Sequence, residues 1–152
     1  MMNALVEKYG TDKVAVLGFI CNQFGHQSNG NEGEFVNVLE HVRPGSGFKC
    51  ADGVELFAKC DVNGATQLPL FKWMKERQRI PFGDDGDNKG NGVQDNDALT
   101  QGDKSVLWSP IARGDIGWNF EKFLIGPDGK FVRRYSRYYL IDDIHADIDQ
   151  LM

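Results

Sequence analysis

The chain runs to 152 residues, with 17 Lys and Arg against 22 Asp and Glu and a formal charge of −5. That length suits one domain, and 41% hydrophobic with 26% charged residues is the make-up of a globular protein in water. The acidic balance gives no electrostatic footprint for nucleic acid or an anionic membrane surface, and no apolar run approaches the roughly 20 residues needed to cross a bilayer.

Residues 3–9 read as the last turns of a helix, with Leu5, Val6 and Tyr9 on one side and Gly10 as its stop. Glu7 and Lys8 deny this stretch the unbroken apolar core of a signal peptide. Residues 13–20, KVAVLGFI, form a nearly continuous apolar run, the mark of a strand buried on both faces. A polar, glycine-rich loop follows. Phe35, Val38, Leu39 and Val42 then recur at helical spacing, which predicts an amphipathic helix over 32–42 with Asn31 as N-cap and Glu32 and Glu34 in the favoured first turn. Pro44 and Gly45 end it.

Residues 54–62 alternate well enough for a short edge strand, closed by an Asn63-Gly64 turn. Pro69 opens a helix through Arg77, with Leu70, Trp73 and Met74 expected inward. Residues 80–104 are poor in apolar side chains and read as a long excursion from the core. Residues 118–125 and 130–137 form a predicted hairpin around Pro127-Asp128-Gly129, and Ile144, Ile148 and Leu151 mark a closing helix. This order suits a single α/β domain over 1–152, built as a three-layer sandwich. The first helix has no start and the buried strand has no earlier parallel partner, so the chain is expected to begin inside a strand–helix–strand crossover.

Cys21, Cys50 and Cys60 are odd in number and form no CxxC pair. A disulfide framework is not expected, and a reducing, cytoplasmic compartment fits better, with a secreted form left open. His26, His41 and His145 share no ligand spacing with one another or with the cysteines, so no metal site is indicated. The run Asp85-Gly86-Asp87-Asn88-Lys89-Gly90 resembles a calcium loop, but Lys89 stands at its fifth position and Asn96 at its twelfth, where a bidentate Glu is needed. A solvated loop is the default there. Taken singly, Arg133, Arg134 and Arg137 read as one solvated strand face, Trp118 as a packed indole, Asn119 as an edge amide and Gln27 as loop polarity.

Their combination changes that weighing. The segments VLGFICNQFGHQ (16–27), HVRPGSGF (41–48), KCDVNG (59–64), WNFEKFLIGPDG (118–129) and RRYSR (133–137) resemble the glutathione peroxidases, in order and in spacing, over nearly the whole chain. The resemblance implies a thioredoxin-like fold and the reduction of hydrogen peroxide and organic hydroperoxides with glutathione as reducing co-substrate and no further cofactor. It puts the family's catalytic Gln on Gln27, its Trp on Trp118 and its Asn on Asn119. Neutral N–H groups of this kind stabilise a thiolate or selenolate without cancelling its charge. Arg43 and Arg137 match two basic residues that meet glutathione, whose carboxylates suit them. Three positions depart from the pattern: Tyr138 stands where a second Arg is usual, Asn31 where a Lys is usual, and Ile20 where a Pro is usual.

The resemblance also implies that the nucleophile, a selenocysteine or cysteine about 35 residues before the Gln, falls upstream of Met1, because none of the three cysteines matches its position. The chain is therefore expected to be inactive as written and to begin at an internal methionine downstream of a selenocysteine codon read as a stop. The rival expectation is a catalytically inactive thioredoxin-fold remnant that acts as a binding or regulatory protein. No thiol lies in the 35–42 helix, where thioredoxin-using relatives carry a resolving cysteine, which points to the glutathione-using branch. The insertion over 80–105 resembles that of tetrameric members, so a homotetramer is expected of the complete protein.

Overall fold

The computed structural model describes residues 2–82 and 106–152. The calcium reading of Asp85 to Gly90 and most of the 80–105 insertion lie outside the described residues. Two compact units emerge, residues 2–22 with 26–60 and residues 23–25 with 61–152.

In the first unit, α1 (Met2–Tyr9) buries Val6 and is closed by Gly10, whose N–H donates to the Val6 carbonyl at 2.8 Å with a φ of 89°. Strands β1 (Val16–Phe19) and β2 (Val54–Phe57) pair in parallel, Val16 opposite Val54 through Phe19 opposite Phe57, and the last two rings stack at 4.8 Å. Gly53 leads into β2 at a φ of 83°, and a Cβ there would sit 2.8 Å from Val6 Cγ1. Only glycine lets α1 approach this closely. Asn3 fixes the same region from its other end, donating to the Lys49 carbonyl and accepting from the Ala51 N–H.

Two expectations are corrected here. The run 13–20 is not buried on both faces: the regular strand covers only Val16–Phe19, and Leu17 is 50% exposed. Among the described residues β1 has one neighbour, β2, so the pleat turns alternate side chains outward. Helix α2 (Glu32–His41) forms with Asn31 as its N-cap, in a full capping box with Glu34. Yet its apolar stripe is not buried; Val38 is exposed and Val42, just past the end, is 71% exposed. The helix is fixed by its cap and by Glu32, whose carboxylate accepts from the Lys59 N–H at 3.1 Å.

In the second unit, α3 (Pro69–Arg77) has the predicted bounds, but of the three residues expected inward only Met74 is buried. Phe71, Met74 and Lys75 are buried, while Leu70 is exposed and Trp73 half-buried under the Arg77 guanidinium. The face is rotated by one position because Lys75 has a carboxylate waiting inside. Strands β3 (Lys122–Ile125) and β4 (Phe131–Tyr135) make the antiparallel hairpin, turned through Gly129 at a φ of 75°. Its first strand starts four residues later than expected, since Phe120 adopts a φ of 72° that no strand can carry. A 3-10 turn (Ile141–Ile144) and α4 (His145–Asp149) close the unit with Ile144 and Ile148 buried. No described helix is long and apolar enough to cross a membrane.

Candidate active site

Trp118 and Asn119 stand on the turn between Asp115 and β3, and that turn is built from buried polar groups. Asn63, fully buried, accepts from the Ile116 N–H and donates to the Ile116 carbonyl, each at 2.9 Å. Gln23 holds the Asn63 backbone in turn, accepting from the Val62 and Asn63 N–H groups and donating to the Asn63 carbonyl. The Lys75 ammonium donates to the Val62 carbonyl, to Asn63 Oδ1 and to Asp115 Oδ1, all within 2.9 Å. Asp115 uses its other oxygen to accept from Trp108 Nε1 and the Ala112 N–H. Burial lowers the Lys75 pKa and the Asp115 carboxylate opposes that shift.

A second anchor comes from β4. Arg134, at 0% exposure, pairs with Glu121 at 2.6 Å and donates to the carbonyls of Gln78, Arg79, Gly114 and Asp115. Glu121 also accepts from the Gly117 N–H, so the residues on either side of Trp118-Asn119 are tied to one carboxylate. Trp118 itself is half-buried, with the Phe24 ring 5.9 Å away and the Arg137 guanidinium 5.7 Å from its own ring centre.

Gln27 and Arg43, the remaining predicted site residues, belong to the first unit, and both are exposed. Gln27 follows Gly25 and His26, both at positive φ. Its loop is shaped by Asn22, which accepts from the Ser28 N–H and donates to Asn29 Oδ1. Lys59 Nζ adds a bond to the Asn29 carbonyl. The Asn31 side chain is spent on capping α2.

The three arginines near the C-terminus do not form one solvated face. Arg134 is the buried anchor, Arg133 pairs with Asp147 at 2.9 Å, and only Arg137 lies against Trp118. Sequence reasoning missed Gln23, Asn63, Lys75, Asp115 and Glu121 as the supports of the site. Lys75 at a buried helical phase was the available signal. Among the described residues no group of three or more His, Cys, Asp or Glu side chains could hold a metal ion.

Chemically, the turn carries an indole and an amide on a backbone tied down by buried charge, with the Arg137 guanidinium beside the indole. The family model for glutathione peroxidase matches residues 1–75. Glutathione peroxidase 1 of Sus scrofa is 48% identical over 151 residues, covering 99% of this chain and 67% of that protein. The Rattus norvegicus protein of the same name is 47% identical, with 69% of it covered. Among solved structures, Trgpx in its apo form superimposes with a TM-score of 0.53 at 27% identity, over 97% of this chain and 63% of that one. T. cruzi GPX1 gives 0.52 at 27%, over 99% and 67%. The chain thus spans about two thirds of the length of the proteins it matches.

Proposed function

Since the chain belongs to the glutathione peroxidase family, thiol-dependent peroxidases of thioredoxin-like α/β fold, we propose that it represents a single domain over 1–152 for reducing hydrogen peroxide and organic hydroperoxides with glutathione. A thiolate or selenolate attacks the O–O bond and becomes the sulfenic or selenenic acid, while the leaving oxygen takes a proton and departs as water or an alcohol. Two glutathione thiols then return the nucleophile to its reduced form, releasing glutathione disulfide and water. Gln27, Trp118 Nε1 and Asn119 donate N–H bonds to the chalcogen anion, and Arg43 and Arg137 meet the carboxylates of the thiol substrate. None of Cys21, Cys50 and Cys60 stands at the nucleophile's place in the motif, so these three residues take no part in turnover.

The observation that carries this reading is the contact of Arg137 with Trp118, a thiol-substrate residue lying on a donor. No prosthetic group, metal, nucleic acid or membrane enters the scheme. The protein works as a homotetramer in a reducing, cytoplasmic setting. Peroxide-driven oxidation of glutathione by the native gene product tests it. Turnover that falls at least tenfold in Trp118→Phe and in Asn119→Ala supports the donor roles. Unchanged turnover rejects them, and glutathione binding without any turnover moves the protein to the class of non-catalytic binding domains.

A further inference from the structure

The Asn22 side chain is bonded to the residues on both sides of Gln27. Its Oδ1 accepts from the Ser28 N–H at 2.8 Å, while its Nδ2 donates to Asn29 Oδ1 at 2.9 Å and makes a longer contact, 3.4 Å, with His26 Nδ1. These partners fix which end of the amide is which, because only an oxygen can accept from the Ser28 N–H. Nδ2 then has nothing but hydrogens to offer. One goes to Asn29, and the other requires His26 Nδ1 to be the acceptor, which places the ring proton on Nε2.

The backbone at this point needs such a hold. Gly25 and His26 are both left-handed, with φ of 65° and 51°. Glycine takes that conformation freely, whereas histidine takes it against its own preference and keeps it where neighbouring contacts over-determine it. Asn22 has firm footing for the task. It follows two buried residues, Ile20 and Cys21, and the Ile20 carbonyl accepts from the Cys60 N–H at 2.9 Å. We propose that Asn22 is a positioning residue for the peroxide step, fixing Gln27 from both sides, through the Ser28 backbone and through His26 in its Nε2–H form. This rests on Gln27 being a donor to the chalcogen anion.

Two measurements on the native gene product test it. The first is the pair of ring ¹⁵N shifts of His26 at about pH 8, assigned through His26→Ala. The second is steady-state kinetics with peroxide and glutathione varied together, which separates the rate constant of the peroxide step from that of the thiol step. In the unaltered protein His26 Nδ1 should show the shift of an acceptor nitrogen and Nε2 that of a protonated one. Asn22→Ala should leave a mixture of tautomers, slow the peroxide step about fivefold and spare the thiol step. Asn22→Asp still accepts from Ser28, so it should slow the peroxide step only about twofold while drawing the His26 proton to Nδ1, and it guards against misfolding of the alanine variant. In a Gln27→Ala background neither substitution should slow the peroxide step further. An unaltered protein whose His26 already shows the tautomer mixture of Asn22→Ala overturns the proposal, as does an equal slowing of both steps. If both Asn22 variants reduce peroxide normally while Gln27→Ala is slow, the role of Asn22 is overturned and that of Gln27 stands. If Gln27→Ala reduces peroxide at the unaltered rate, or the native gene product shows no turnover, both are overturned.

Discussion

The segment that carries Trp118 and the segment that carries Gln27 present the same kind of group, a neutral N–H donor, by opposite means. Residues 115–121 are held by ionised side chains out of water, with Lys75 on Asp115 and Arg134 on Glu121. Residues 26–31 are held near the surface, chiefly by the amides of Asn22 and Asn31 bonding to backbone and to their neighbours. A buried ion pair is costly to assemble and worse to break, so it gives one geometry or none. Exposed amide bonds exchange readily with water and allow local adjustment at small cost.

Breaking the buried side should have the largest effect. Asp115→Ala leaves the Lys75 ammonium uncompensated and strips the Trp108 indole and the Ala112 N–H of their acceptor. A loss of about 3–5 kcal/mol in chemical denaturation is expected. The double variant Lys75→Met with Asp115→Leu should recover part of that loss, which separates the uncompensated charge from simple packing. Arg134→Lys comes next, at about 2–4 kcal/mol, since an ammonium cannot reach Glu121 and four carbonyls together.

On the exposed side, Asn31→Ala removes the capping box of α2 and should cost about 1 kcal/mol, with faster amide exchange confined to the first turn of that helix. Equal losses for Asp115→Ala and Asn31→Ala would erase the contrast between the regions.

A further contrast is read through pH. Burial lowers the Lys122 pKa to about 8 from its ordinary 10.5. Between those values the unfolded chain holds the extra proton, so stability should rise with pH through that window, and Lys75 pushes the same way. Tyr135 acts oppositely, because burial and the bond to Asp147 raise its pKa far above 10, so stability should fall once unfolded tyrosine ionises. Denaturation midpoints should therefore climb from pH 8 toward 10 and drop beyond it. Lys122→Gln should flatten the climb.

Local signals were legible wherever one residue type decides the backbone. Pro69 at the first helical position gave the start of α3, Asn31 with Glu34 gave the cap of α2, and Pro127-Asp128-Gly129 gave the hairpin turn. What was not legible depends on partners distant in sequence. Counting apolar residues on α3 turned it by one position, because Lys75 goes inward only if Asp115, 40 residues later, is there to meet it. Arg134 looked like a surface charge because its acceptors come from three other stretches of chain. The late start of β3, after Phe120, follows from a left-handed backbone that the residue name opposes. For the site, the resemblance supplied Gln27, Trp118, Asn119, Arg43 and Arg137. The approach of Arg137 to the Trp118 and Tyr138 rings depends on how the chain folds around them.

The Arg134 side chain has one more consequence, for how the second unit comes apart. Its guanidinium holds the hairpin, the residues after α3 and the 114–121 turn at once. None of the three can separate from the others without exposing that cation's unmet partners in the low-dielectric interior. They should therefore open as one cooperative element, with the slow amides of β4 and of the Trp118 turn exchanging at a common rate. The chemistry proposed for Trp118 thus inherits its rigidity from the whole hairpin.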